Sequence, residues 1–108
     1  MLERIPEPDW KVFREIHKPL LRRHCRETLD RLAEIAAQDD EDAHEQYLRA
    51  YKYIHQRDKE VAEVFEDFRR STALMQLGLM RRKKLLDDSD LDRFSEETAA
   101  VIRRFTHF

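Results

Sequence analysis

Glycine is nearly absent from this sequence: among 108 residues only Gly78 occurs, and proline is confined to positions 6, 8 and 19. Between residues 20 and 77 neither of the two strongest chain breakers is present, which leaves no material for tight hairpins and argues against a β-sheet. The same scarcity excludes glycine-built phosphate cradles, nucleophile elbows and dinucleotide fingerprints. Cysteine is equally rare. Cys25 is the only one, so no intramolecular disulfide forms. Its neighbour His24 projects about 100° away on a helix and is poorly placed as an activating base. Its place in an apolar series predicts a buried, structural thiol. Long hydrophobic runs are missing too: the greasiest stretch, residues 73–80, is interrupted by Gln76 and falls far short of the roughly 20 residues that a membrane span requires. The opening Met-Leu-Glu-Arg-Ile-Pro has no signal-type apolar core, so the expected compartment is the cytoplasm, without membrane contact.

Charge, by contrast, is plentiful and balanced. Lys and Arg total 21 against 23 Asp and Glu, a net charge of -2, so no overall field draws the chain to nucleic acid or to an anionic membrane. Hydrophobic and charged residues each make up 41%, which leaves little for polar loops and fits long amphipathic helices. At this length one domain forms, burying roughly 65% of the surface of the extended chain. The expected fold is all-α: a single domain over residues 1–108, built as a small irregular bundle of four to six helices, with one long central helix as an option. Pro6 and Pro8 mark residues 1–8 as an extended arm.

Asp9 then reads as a helix cap, followed by Trp10, Phe13 and Ile16. Pro19 either kinks this helix or opens a second one. Leu21, Cys25, Leu29, Leu32 and Ala36 continue at helical spacing as the apolar face. The acidic stretch at 38–42 is a turn, with Asp42 capping the next helix and Glu45 at its positive end. Further on, Ser89 with Asp92, and Ser95 with Thr98, read as caps of two short final helices.

The strongest pattern is a seam: Tyr47, Tyr51, Ile54, Asp58, Val61, Phe65, Phe68, Thr72, Met75 and Leu79, spaced alternately four and three apart. This heptad spacing predicts helix packed on helix, and only Asp58 breaks its apolar run. A single helix over residues 43–84 would be about 63 Å long, whereas a compact chain of this size has a radius of gyration near 13 Å. Either the helix breaks, around Asp58 or Ser71, and folds back, or it stays long and pairs with a second copy.

Chemistry is thin. Glu41-x-x-His44 has the carboxylate–histidine spacing of di-iron bundles, but it occurs once; His24-x-x-Glu27 has the reverse order, and Pro19 makes the register of His17 and His24 uncertain. His55 reads as a boundary residue. No metal, cofactor or catalytic residue is assigned, and the chain is read as a non-enzyme. A basic group, Arg69, Arg70, Arg81, Arg82, Lys83 and Lys84, is the one feature that invites nucleic acid. A helix-turn-helix built on Gly78 fails, because the positions that must pack inward are Lys84 and Asp87. The leading expectation is helix-mediated protein association, with a homodimer as the partner state and Tyr47, Tyr51, Phe65, Phe68, Met75, Leu79 and Met80 as the contact surface. A nucleic-acid-associated regulator using the basic group is the alternative.

Overall fold

The computed structural model of the chain describes residues 4–38 and 42–105. It is all-α, with no strand among the described residues: α1 (Glu7–Ala37), α2 (Ala43–Val64), a single 3-10 turn (Arg70–Thr72), α3 (Ala73–Arg82), α4 (Asp88–Leu91) and α5 (Glu96–Arg104).

α1 begins earlier than the predicted Asp9 cap. Pro6 occupies the cap position and Pro8 lies in the first turn, where a missing N–H would be unpaired in any helix. Asp9 is therefore helical and 3% exposed; its carboxylate accepts hydrogen bonds from the Ser95 N–H (2.8 Å), the Ser95 hydroxyl (2.7 Å) and the Thr98 hydroxyl (2.6 Å). It ties the first turn of the chain to the start of the last helix. The extended arm predicted over residues 1–8 is not borne out at its far end, since Glu7 and Pro8 are helical and Ile5 is buried in the core with its carbonyl accepting from Arg70 at 3.3 Å, while residues 1–3 lie outside the described residues. α1 also runs unbroken through Pro19, which faces solvent. Phe13 and Ile16 before it and Leu20 after it stay on one buried face, so packing holds the helix together across the lost backbone bond.

α2 starts where the sequence predicts: the Asp42 carboxylate accepts from the backbone N–H of His44 (2.9 Å) and of Glu45 (3.4 Å). Asp58 does not break it. That residue is exposed in mid-helix, and α2 continues to Val64 before the chain turns. The break, at residues 65–69, falls between the two expected points, Asp58 and Ser71, and neither residue caps it. Phe65 and Phe68 turn inward onto α1, with the Phe68 ring stacked on His17 (centroids 3.8 Å apart) and packed against Trp10 (5.1 Å) and Phe13 (5.2 Å). The Thr72 hydroxyl donates back to the carbonyls of Asp67 (2.8 Å) and Arg69 (3.1 Å), and Arg69 pairs with Asp67. Tertiary packing and local polar bonds bend the chain without glycine or proline.

α3 ends in a Schellman turn, in which Leu85 N–H reaches the Met80 carbonyl (2.8 Å) and Lys84 N–H the Arg81 carbonyl (3.0 Å). Lys84 takes the left-handed position at φ 64°, at a cost of about 1–2 kcal/mol for a residue with a side chain. α4 is capped by Asp87 rather than Ser89: the Asp87 carboxylate accepts the Asp90 N–H (2.9 Å) while Asp90 accepts the Asp87 N–H (3.0 Å). The Ser89 hydroxyl and the Asp90 N–H together hold the Asp87 carboxyl down at about 2. Ser95 caps α5 as predicted, accepting from Thr98 N–H at 3.3 Å. The Phe105 ring lies directly over Gly78, where any Cβ would collide with it. The only glycine thus lets the chain's last helix close on α3.

The core collects Phe13, Ile16 and Leu20 of α1, Leu77 and Met80 of α3, Leu85, Leu86, Leu91 and Phe94, and Ile102 of α5. α2 contributes little to it: Val64 is its sole buried residue. The outer half of α1 and most of α2 accordingly project as a hairpin. The extents are 54 × 24 × 21 Å and the radius of gyration is 16.5 Å, against about 13 Å for a compact chain of this length.

Replacing the central tie tests this assembly. Asp9→Ala leaves the buried Thr98 hydroxyl without its acceptor and removes the tie to Ser95, and is expected to lower unfolding stability by about 1–3 kcal/mol in urea titration. A loss below about 1 kcal/mol would show that α5 is held by apolar packing alone.

Candidate protein interface

The hairpin is joined by polar groups. The Nε2–H of His24 donates to the Arg57 carbonyl (3.3 Å), while the Arg57 guanidinium returns bonds to the Thr28 hydroxyl (2.8 Å) and the His24 carbonyl (3.2 Å). Arg57 also lies 3.4 Å from Glu60 and 3.8 Å from Glu27. Toward the core, His17 Nε2–H donates to the Phe65 carbonyl at 3.1 Å. At the hairpin tip the Gln46 amide donates to the carbonyls of Ile35, Ala36 and Gln38 (2.8, 3.0 and 2.9 Å), which satisfies carbonyls that the end of α1 leaves unpaired.

This polar lining corrects the predicted inner face of α1. The fully buried residues are Leu20, His24, Thr28 and Ile35; of the predicted apolar series Leu21 and Leu32 are half-buried, and Cys25, Leu29 and Ala36 are exposed. Cys25, expected to be a buried thiol, is exposed. On α2 the same one-residue offset recurs: Gln46, Ala50, Tyr53, Arg57 and Glu60 are half-buried toward α1, whereas Tyr47 (65% exposed), Tyr51 (56%) and Ile54 (42%) point outward. One residue is about 100° of helix rotation. Each helix therefore carries two stripes, and the more polar one is inside.

The outward stripes meet on one side of the hairpin, in a groove of about 310 Å³ where Cys25 and Leu29 of α1 face Ile54, Asp58 and Val61 of α2. Leu29, at 48% exposed, forms its most open apolar wall on α1. The surface continues toward the tip, where Tyr47 lines a shallow depression with Ala36 and Ala50. The tyrosine rings are braced by histidines, Tyr47 stacked on His44 (6.5 Å) and Tyr51 on His55 (5.8 Å, interplanar angle 6°). The C-terminal elements leave this side open because they dock on the other one, through Arg23 to Asp87 (3.0 Å) and Asp90 (3.1 Å).

The predicted contact residues divide accordingly. Tyr47 and Tyr51 belong to the open face; Phe65 and Met80 are core; Phe68 and Leu79 are half-buried against that core; Met75 is exposed on α3. Cys25 and Leu29, absent from the predicted contact surface, belong to the apolar series that the sequence predicts to face inward. The basic group is dispersed. Arg69 is held by Asp67, Arg70 by Glu7, Arg81 by Asp88 and Lys83 by Glu63, which leaves Arg82 and Lys84 as the exposed members without an ion pair among the described residues.

His17 and His24 do not converge as metal ligands, since each donates to its own carbonyl on the far side. Glu27 is exposed beside Arg57, and Glu41 of the Glu41-x-x-His44 spacing lies outside the described residues. Among the described residues no group of three or more His, Cys, Asp or Glu side chains gathers as a metal site, and no helix is long and apolar enough to cross a membrane. Comparisons with protein-family models, with curated proteins and with solved structures gave no match.

Burial lowers the pKa of both His17 and His24, with the nearby Arg57 guanidinium adding to the effect at His24. Each imidazole is thus kept neutral below the pH at which it would protonate in the unfolded chain. The stability so gained is complete above the ordinary value of 6.5 and is lost as pH falls from there toward the folded values. Urea midpoints are expected to drop on acidification below about pH 6.5. His17→Phe, which keeps a ring against Phe68 but removes one titrating group, should show a shallower fall; an unchanged slope would place the effect elsewhere.

Proposed function

We propose that the chain is a small non-enzymatic protein that works by helix-mediated association with another protein, with a second copy of itself as the expected partner and the cytoplasm as its compartment. The observation that carries this reading is the open apolar side of the hairpin. A two-helix unit whose interior is partly polar while Leu29, Tyr47, Tyr51 and Ile54 face solvent lacks the second layer that helical domains ordinarily supply. The nucleic-acid reading has weaker support, since carboxylates on the same chain neutralise Arg69, Arg70, Arg81 and Lys83.

Sedimentation velocity over a wide concentration range tests the proposal. The wild-type chain is expected to associate. Tyr51→Glu, a change at an exposed helical site, should retain the helical circular dichroism spectrum and remain monomeric. A strictly monomeric wild type, or association unaffected by Tyr51→Glu, would contradict the reading. Phe65→Asp would not serve here, because Phe65 is part of the core.

A further inference from the structure

On that reading of the open face, we infer that it receives a second copy of this chain in one orientation: a two-fold axis runs along the hairpin, so that α1 of each copy lies antiparallel over α2 of the other, with Arg22 paired to Asp58 across the interface. The area is sufficient. The 22 residues of α2 span about 33 Å, and two helices side by side cover about 20 Å, giving about 660 Å² per copy. Stable complexes start near 600 Å² per partner. The product is a four-helix bundle in which every neighbouring pair of helices is antiparallel.

Charge selects the orientation. Helical spacing from the stripe Leu21, Cys25 and Leu29 puts Lys18, Arg22 and Arg26 on the outer edge of α1, a basic lip. At the same end α2 carries Asp58 on its open side. Arg22 and Asp58 are both exposed, and neither has an ion pair among the described residues; Asp58 is the one carboxylate lining the apolar groove. The cross-hairpin bonds fix their heights: His17 meets Phe65 and His24 meets Arg57, so Asp58 stands level with residue 23, about one helical rise from Arg22. A two-fold axis along the hairpin preserves those levels, and Arg22 of one copy then meets Asp58 of its partner, twice per dimer. An axis across the hairpin would instead reverse the levels and carry Arg22 toward the partner's tip, away from Asp58. Opposite charges so placed fix register and suppress the wrong orientation.

Charge exchange tests this directly. Arg22→Glu, Asp58→Arg and the double variant are compared with the wild type by sedimentation equilibrium at low and moderate salt. Each single reversal creates two repulsive pairs per dimer and is expected to weaken association at least about tenfold, whereas the double variant should return to within about threefold of the wild type. A dimer that is indifferent to all three variants yet lost in Tyr51→Glu would overturn the orientation while leaving the open face as the contact. Single reversals that weaken the dimer without rescue in the double variant would overturn the pairing. A wild type that stays monomeric would overturn the second copy as occupant.

Discussion

The architecture of the hairpin depends on Arg57. Its side chain crosses from α2 to bond the Thr28 hydroxyl and the His24 carbonyl, and its own carbonyl accepts the His24 ring N–H. A polar cluster of this kind is stable to the extent that its members find their partners; here the His24 Nδ1 is left without one among the described residues, while its Nε2, the Arg57 guanidinium and the Thr28 hydroxyl are all bonded. The requirement fixes both the height and the rotation of α2 on α1. Rotating either helix by one residue would strand a guanidinium, an imidazole and a hydroxyl away from their partners. The same interaction that holds the helices together therefore turns Cys25, Leu29, Tyr47, Tyr51 and Ile54 to the outside.

The molecule divides its energetics along the same line. The first half of α1 and the C-terminal elements make a dense apolar core, closed by the buried Asp9 carboxylate against Ser95 and Thr98 and by Phe105 on Gly78. The distal hairpin has few buried side chains and relies on hydrogen bonds, some of them to histidines whose protonation burial disfavours. Regions held mainly in this way occupy the low end of a protein's local stabilities. Covering the hairpin's open side would add the missing apolar layer and would stabilise the hairpin in proportion to the protomer concentration.

Much of this was legible in the sequence, and the remainder failed for identifiable reasons. Caps are local, so the starts of α2 at Asp42 and of α5 at Ser95 could be read from a few residues. Proline at position 6 or 8 is compatible with a helix start or with an extended arm, and only the tether from Asp9 to α5 decides between them. Periodicity reported the spacing of apolar residues correctly but not which of two adjacent stripes faces inward. The apolar stripe was assumed to be inside, and the choice was reversed by Arg57, whose partners lie 29 and 33 residues away in sequence. The seam from Tyr47 to Leu79 likewise joined two things that the fold separates, an outward face on α2 and core residues from Phe65 onward. No glycine or proline marks the turn between them, because the aromatic stack of Phe68 on His17 makes it.

Cys25 offers the most direct measurement of the central claim, that the open side of the hairpin is covered in the associated protein. It is the chain's sole thiol and lines the groove with Leu29 and Ile54. Its alkylation rate by a small maleimide, followed by mass spectrometry as the protein is concentrated, is predicted to be fast in dilute solution and to fall severalfold as copies associate. A rate that stays constant while sedimentation shows association would mean that the chains meet elsewhere and that this face is open in the working protein.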